Sequence, residues 1–314
     1  MKKTAFIFPG QGSQTVGMGK ELYEGFATAK AVFDAADAAL GFSITNLCFN
    51  GPEDELRKTY NTQPAILTVS IACYEVLKEF GIQPNIVAGH SLGEYSALVA
   101  AGALSFADAV RLVRKRGQLM QEAVPLGEGS MAAILGLERQ VVIDICEKSQ
   151  MEFGAVQAVN FNCPGQIVIA GKKEAVEKAC EMLKAAGAKR TIMLPVSAPF
   201  HSTLMKPAAE KLALELSAIT VSDAVIPVVA NIHGGIITQA LEIEKSLVEQ
   251  ADHPVEWEKC VAEIAKFGAT TFIEVGPGKV LSALTKKITK EIDNLNVEDT
   301  VSLEKTLDYF KEVN

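Results

Sequence analysis

The stretch Ile86-Val87-Ala88-Gly89-His90-Ser91-Leu92-Gly93 decides how this chain of 314 residues is interpreted. Its first three apolar residues predict a short buried strand, and residues 94–101 after it predict a helix. A serine with a glycine two positions before and after it, at a strand-to-helix turn, is the pattern of a nucleophile elbow. Such a turn exposes the serine hydroxyl and leaves the first amides of the helix free to bind an oxyanion. The alternative is an ordinary turn that contains two glycines.

Strands and helices alternate on both sides of this turn, which predicts an α/β fold with a mainly parallel sheet. Further strands are predicted over residues 4–8, 226–230 and 271–275. Gly276-Pro277-Gly278-Lys279 turns into a helix that we expect to be the last.

The composition changes at Pro125-Leu126-Gly127-Glu128-Gly129. From there the predicted elements run strand, helix, strand, strand, helix, strand, over residues 130–135, 138–149, 155–160, 166–170, 173–186 and 190–194. This βαββαβ order is that of a ferredoxin-like domain. We therefore expect such a domain at 125–197, inserted into a larger one made of residues 1–124 and 198–314.

Composition excludes several classes of protein. The chain is 48% hydrophobic and 22% charged, with a formal net charge of −8, so it lacks the basic surface of a general nucleic-acid binder. The apolar run before Pro9-Gly10 is too short for a signal peptide, and no stretch approaches the length of a membrane span. We expect a cytoplasmic protein that binds neither nucleic acid nor membrane.

Metal and nucleotide sites are not predicted either. The six cysteines form no C-x-x-C pair, and the four histidines form no H-E-x-x-H. The glycine-rich run from Gly10 to Lys20 misses both phosphate-loop templates, because Thr15 and Met18 stand where glycine and lysine are required. No metal or cofactor is therefore expected, and Cys163 is expected to be inert rather than a rival nucleophile.

A serine nucleophile needs a base to take its proton. His201 lies where the chain returns from the inserted segment, and a seam between domains is a usual place for an active site. It is favoured over His233 and His253, while His90 is directed away from the serine beside it. A purely structural histidine remains the alternative in each case.

Arg116 is unusual for its position. When residues 109–124 are drawn as a helix, Arg116 falls in the middle of the apolar stripe. The stripe consists of Ala109, Leu112, Val113, Leu119, Met120 and Ala123. A buried arginine is costly unless it is paired. Two interpretations stay open: an internal ion pair, or a guanidinium that binds a substrate carboxylate.

Several motifs together resemble the malonyl-CoA:acyl carrier protein transacylases of fatty-acid synthesis, over nearly the whole chain. They are Phe8-Pro9-Gly10-Gln11-Gly12-Ser13-Gln14, Gln63-Pro64-Ala65, Gly89-His90-Ser91-Leu92-Gly93-Glu94-Tyr95, Arg116-Gly117, Pro164-Gly165-Gln166, Ser197-Ala198-Pro199-Phe200-His201 and Glu274-Val275-Gly276-Pro277-Gly278. The resemblance implies an α/β-hydrolase-like large domain with a ferredoxin-like insertion.

The resemblance also implies roles for single residues. Ser91 would be the nucleophile and His201 its base, and Arg116 would bind the malonyl carboxylate. The backbone amides of Gln11 and Leu92 would form the oxyanion hole.

Three further residues complete the expected site. Gln63 would line the pocket, and Phe200 beside the base would limit the pocket to an unbranched acyl group. Gln250, in Val248-Glu249-Gln250, would orient the histidine in place of a triad acid, with Asp252 as an alternative partner.

The expected activity is transfer of a malonyl group from coenzyme A to the phosphopantetheine thiol of acyl carrier protein, through an acyl-serine. The alternatives are a discrete acyltransferase serving a polyketide synthase, a serine thioesterase or hydrolase, and a noncatalytic subunit that binds the carrier. Because carrier and chain are both acidic, docking is expected at local basic residues. The candidates are Lys286, Lys287, Lys290, Lys189 and Arg190.

Overall fold

The structure is a computed structural model that describes residues 2–196, 198–290 and 292–313. Its strands are, in chain order, β1 (Lys3–Phe8), β2 (Ile86–Gly89), β3 (Gly129–Leu135), β4 (Val156–Cys163), β5 (Gln166–Lys172), β6 (Arg190–Met193), β7 (Val228–Val229), β8 (Ile236–Ile237), β9 (Ala269–Val275) and β10 (Asp293–Val297). They form two sheets, and helices alternate with strands along the chain, as expected for an α/β protein.

Helices cover both sheets. They are, in chain order, α1 (Lys20–Gly25), α2 (Ala27–Leu40), α3 (Ile44–Asn50), α4 (Glu53–Leu56), α5 (Thr59–Glu79), α6 (Leu92–Ala100), α7 (Phe106–Glu122), α8 (Arg139–Phe153), α9 (Lys173–Ala185), α10 (Lys206–Ser217), α11 (Ala240–Gln250), α12 (Trp257–Lys266), α13 (Val280–Ile288) and α14 (Thr300–Val313). Among them, none has the length and apolar character needed to cross a membrane.

The large sheet has six strands in the order β10-β9-β1-β2-β7-β8. Its pairs are parallel except β7 with β8. β1 and β2 are central, and their buried residues are apolar except for Thr4, as is typical of buried parallel strands. Phe8 pairs with Gly89 at their carboxyl ends. The elbow therefore leaves the middle of the sheet at the edge where α/β proteins place their ligands.

The small sheet has four antiparallel strands in the order β4-β5-β3-β6. α8 and α9 pack on it around a core of its own that includes Ile134 and Ile169. Backbone bonds tie the small sheet to the segment between α11 and α12, because Val255 accepts from the Phe161 amide at 2.9 Å and donates to the Val159 carbonyl at 2.8 Å. This joint brings β4 close to the elbow.

Three sequence expectations need correction. The predicted strand over 226–230 shrinks to Val228–Val229, since Pro227 has no amide to donate. The strand predicted to end at 160 runs to Cys163, so the turn is only Pro164-Gly165, with Gly165 at φ 73°. The helix after Lys279 is not the last, because β10 and α14 follow it. Ser197, where the predicted insertion ends, lies outside the described residues.

Candidate active site

Ser91 sits in a strained turn between β2 and α6. Its φ and ψ are 52° and −106°, a positive-φ conformation that residues with side chains rarely adopt and that is found at functional turns. The flanking glycines are required by close packing. A Cβ at Gly89 would lie 1.9 Å from the Gly93 backbone, and one at Gly93 would lie 2.0 Å from the Phe8 carbonyl oxygen. The turn therefore presses α6 against β1 and projects the serine hydroxyl.

His201 contacts this hydroxyl. Its Nε2 lies 2.7 Å from Ser91 Oγ, and its Nδ1 lies 2.7 Å from the backbone carbonyl oxygen of Gln250. A carbonyl oxygen only accepts, so Nδ1 carries the proton and Nε2 is free to accept from the serine. His201 also has a left-handed backbone, with φ 62°.

The environment of His201 keeps it neutral. Burial lowers its pKa to about 3, and the positive charge of Arg116 acts in the same direction. An uncharged imidazole at neutral pH is the state that a general base requires.

Arg116 lies at the floor of the site and is only 1% exposed. Its Nη1 donates to Gln63 Oε1 at 2.8 Å, and its Nη2 donates to Gln250 Oε1 at 2.9 Å and to Ser91 Oγ at 3.2 Å. Within the described residues no carboxylate pairs with it directly, and its buried Nε–H has no acceptor. Arg116 therefore makes no direct ion pair with a carboxylate of the described residues.

The remaining histidines are occupied elsewhere. Asp252 Oδ1 lies 2.7 Å from Nδ1 of His253, an exposed residue, so Asp252 is not the partner of His201. His233 Nδ1 accepts from the Gly235 amide at 2.8 Å. His90 Nε2 donates to Asn162 Oδ1 at 2.8 Å. Of the four histidines, only His201 contacts the serine hydroxyl.

A cavity of about 110 Å³ opens in front of Ser91. The amides of Leu92 and Gln11 make no hydrogen bond to another described residue, as an oxyanion hole requires. The residues that line the cavity are Gln11, Gln63, His90, Ser91, Leu92, Arg116, Met120, Met131, Asn160, Leu194, Val196, Phe200 and His201. Of the eight residues predicted for catalysis, the oxyanion hole and acyl binding, all but Gln250 line it, and Gln250 is bonded to Ser91, Arg116 and His201.

Sequence reasoning missed the amide that supports the elbow. Asn231, fully buried, accepts from the Ser91 amide at 2.7 Å and donates to the Gly89 carbonyl at 2.7 Å. Its one sequence signal is a polar residue at the carboxyl end of a predicted strand. It also missed Asn160, which lines the cavity and whose buried Oδ1 has no partner among the described residues.

The predicted docking residues flank one turn of the small sheet. Lys286 and Lys287 are exposed in the last turn of α13, and the charge of Lys287 acts on the thiol of Cys163. Lys189 lies against Gly136, whose amide donates to the Gly165 carbonyl at 2.8 Å. Arg190 and Lys290 are exposed as well. Lys287 thus lies near Cys163, before the turn Pro164-Gly165, and Lys189 lies near Gly165.

The other chemical expectations concern metals and thiols. The described residues contain no group of three His, Cys, Asp or Glu side chains that could hold a metal ion. All six cysteines are free. Burial raises the pKa of Cys163, which makes its thiol a poor nucleophile.

Residues 5–312 match the family model described as acyl transferase domain. A malonyl CoA-acyl carrier protein transacylase of Bacillus subtilis (strain 168) is 53% identical over 314 residues, which is 100% of this chain and 99% of that protein. The crystal structure of the enzyme of that name from Clostridium perfringens is 47% identical, with a TM-score of 0.96 over 99% of this chain and 98% of that one. A malonyl-transacylase solved with its type II PKS acyl-carrier protein is 46% identical, with a TM-score of 0.95 over 98% and 99%. This chain belongs to the malonyl CoA-acyl carrier protein transacylase family.

Proposed function

We propose that this protein moves a malonyl group from malonyl-CoA to the phosphopantetheine thiol of an acyl carrier protein, through an acyl-Ser91 intermediate, in cytoplasmic fatty-acid biosynthesis. One observation carries the proposal. Ser91 Oγ lies within hydrogen-bond reach of both a neutral imidazole, at 2.7 Å, and a buried guanidinium, at 3.2 Å. A nucleophile, its base and a group that pairs with carboxylates thus meet at a single oxygen.

The first half-reaction acylates the serine. Ser91 Oγ attacks the thioester carbon of malonyl-CoA while His201 Nε2 takes its proton. The Leu92 and Gln11 amides stabilise the oxyanion of the tetrahedral intermediate, each donor being worth about 2.7–4 kcal/mol in enzymes where it has been removed. The carbon–sulfur bond then breaks, and His201 returns the proton to the leaving thiolate of coenzyme A.

The second half-reaction runs the same steps with the carrier. The phosphopantetheine thiol gives its proton to His201 and attacks the malonyl-serine. The ester bond breaks, and Ser91 regains its proton from the imidazole. The malonyl-transacylase that was solved with its carrier supports this partner.

Arg116 is proposed to select a dicarboxylic acyl group. Its buried Nε–H has no acceptor among the described residues, so a substrate carboxylate can take it together with Nη2 as a bidentate pair, in place of the contact between Nη2 and Ser91 Oγ. Gln63 accepts from Nη1 of the same guanidinium. Phe200 lines the cavity and restricts the space beside the thioester.

The architecture is proposed to be an α/β-hydrolase-like large domain, 1–124 with 198–314, and an inserted ferredoxin-like domain at 125–197. The parallel order β9-β1-β2-β7 with the elbow after β2 supports the first assignment. The antiparallel order β4-β5-β3-β6 with two helices on it supports the second.

A serine hydrolase is the main alternative, and the contact of His201 distinguishes the two. Hydrolases orient the base with an acid, whereas His201 donates to a neutral peptide carbonyl.

Intact-mass spectrometry tests the proposal. Malonyl-CoA should add one malonyl mass, which Ser91→Ala abolishes and which added acyl carrier protein removes far faster than water does. An adduct that survives in Ser91→Ala, or that water releases as fast as the carrier, would contradict it. Fatty-acid and polyketide carriers offered in parallel identify the pathway.

A further inference from the structure

Glu94 is a buried carboxylate that the proposed reaction does not use. It lies one turn after Ser91 on α6 and is fully buried. Its oxygens accept from Gln250 Nε2 at 2.7 Å, from the Asn231 amide at 3.1 Å and from Ser246 Oγ at 3.4 Å. All three donors are uncharged. A buried carboxylate is costly to keep without an opposite charge nearby, so its presence beside the site needs an explanation.

The side chain of Gln250 connects this carboxylate to Arg116. Its Nε2 donates to Glu94 Oε2 at 2.7 Å and to the Ser91 carbonyl at 3.0 Å, while its Oε1 accepts from Arg116 Nη2 at 2.9 Å. The reverse orientation of the amide would place an NH₂ group against the guanidinium and an oxygen against the carboxylate. The two charges therefore fix the amide in one orientation, and the amide in turn holds the guanidinium.

The electrostatics support this connection. Burial raises the pKa of Glu94 to about 7, while its hydrogen bonds and the positive charge of Arg116 act in the opposite direction. Burial also lowers the pKa of Arg116, which Tyr95 and, after it, the Glu94 charge oppose. Each group thus makes the charged form of the other less costly, across a single amide, in a low-dielectric interior.

We propose that Glu94 is a positioning residue that acts through Gln250 to hold the Arg116 guanidinium in the orientation that binds the malonyl carboxylate. This inference rests on the proposed function. It predicts an effect on substrate selection, because acetyl-CoA has no carboxylate to present to Arg116. A residue needed only for folding would affect both substrates alike.

The test compares acylation of Ser91 by malonyl-CoA and acetyl-CoA at pH 8, where Glu94 is ionised, in wild type and Glu94→Gln. We expect kcat/KM for malonyl-CoA to fall about 10- to 100-fold, the range of one hydrogen bond to a charged group, mainly through a higher KM. The acetyl-CoA value should stay within about 2-fold. In an Arg116→Ala background, Glu94→Gln should have no further effect.

Two other variants guard against a folding artefact. Glu274 is also fully buried with a pKa raised to about 7, but it caps α13 through the amides of Leu281 and Ser282, so Glu274→Gln should leave the substrate preference intact. Glu94→Asp keeps the charge and withdraws it from Gln250, and should show a smaller loss in the same direction. Equal losses for both substrates, an undiminished malonyl preference, or additive losses with Arg116→Ala would overturn the inference. Failure of malonyl-CoA to acylate the wild type would instead overturn the proposed function.

Discussion

The charge state of His201 is set by burial and by the Arg116 guanidinium, which together lower its pKa to about 3. An exposed histidine, with a pKa of about 6.5, would lose its base function on acidification from pH 8 to pH 6. Because the folded protein holds the imidazole neutral, we expect the rate of Ser91 modification by an uncharged sulfonyl fluoride to stay flat over that range. Mass spectrometry at each pH measures this rate. A downward bend centred near pH 6.5 would mean that the imidazole is ordinary.

Replacing the base gives the matching control. His201→Ala should slow acylation by malonyl-CoA at least about 100-fold, as loss of a general base does. His233→Ala changes an exposed histidine that is engaged with its own turn, so its rate should equal that of wild type.

Arg116 is expected to determine the preference between malonyl and acetyl groups. Arg116→Ala should lower malonyl transfer far more than acetyl transfer, by about 100-fold or more, because it removes a charged bidentate pair from a buried site. Arg116→Lys should restore little, since an ammonium lacks the planar fork. Thioester exchange with both substrates measures the ratio. Parallel losses for malonyl and acetyl transfer would assign Arg116 a structural role.

Some residues of the site could be predicted from the sequence and others could not, for physical reasons. Arg116 could be found because a helical projection exposes a charge on an apolar face. Glu94 falls in a short helix that is buried on nearly every face, so no stripe marks it as exceptional. Asn231 acts through a contact with Ser91 across 140 positions of the chain, and local patterns carry no information about such pairs.

The elbow as an element depends on how closely α6 approaches β1. A Cβ at Gly93 would lie 2.0 Å from the carbonyl oxygen of Phe8, and its three nearest atoms all belong to the backbone of Phe8 and Pro9, so no side chain can move away to make room. We expect Gly93→Ala to lower the free energy of unfolding by at least about 3 kcal/mol, as strong overpacking does. Urea denaturation measures it. Gly25→Ala, where nothing lies within 4 Å, should leave stability unchanged or slightly higher. Equal stability of the two variants would contradict this account of the turn.

Most elements were predictable because their apolar periodicity matches their burial. β1, β2, the four strands of the small sheet and the helices α8 and α9 were predicted within a few residues of their bounds. β10 was not, since its sequence, Asp293-Asn294-Leu295-Asn296-Val297, is polar and its residues are mostly half-buried at the sheet edge. The length of β7 was overestimated because an apolar run does not show how many of its residues pair with a neighbouring strand. Only two residues of β8 pair with β7.

For the whole molecule, the open question is how an acidic protein attracts an acidic carrier. The net charge of −8 opposes association, so the local field near the site entrance must provide steering. Lys286 and Lys287 on one side and Lys189 and Arg190 on the other flank the turn Pro164-Gly165. Asn162, in β4 before that turn, binds His90, next to the nucleophile. The alternative is that Lys286 and Lys287 only complement the dipole of α13, whose last turn they occupy.

Charge reversal separates these two possibilities. Lys286→Glu with Lys287→Glu should slow transfer to the carrier at low salt by about 10-fold or more, within the range of electrostatic steering, while acylation by malonyl-CoA stays near the wild-type rate. Lys172→Glu with Lys173→Glu makes the same change of net charge at the other end of β5, also on exposed lysines, and should leave transfer nearly unchanged. Added salt should reduce the difference between the two double variants, because exposed charges are screened over about 8 Å at physiological ionic strength. If both double variants slow transfer equally, net charge rather than a local docking surface governs the encounter. If neither does, the carrier binds elsewhere.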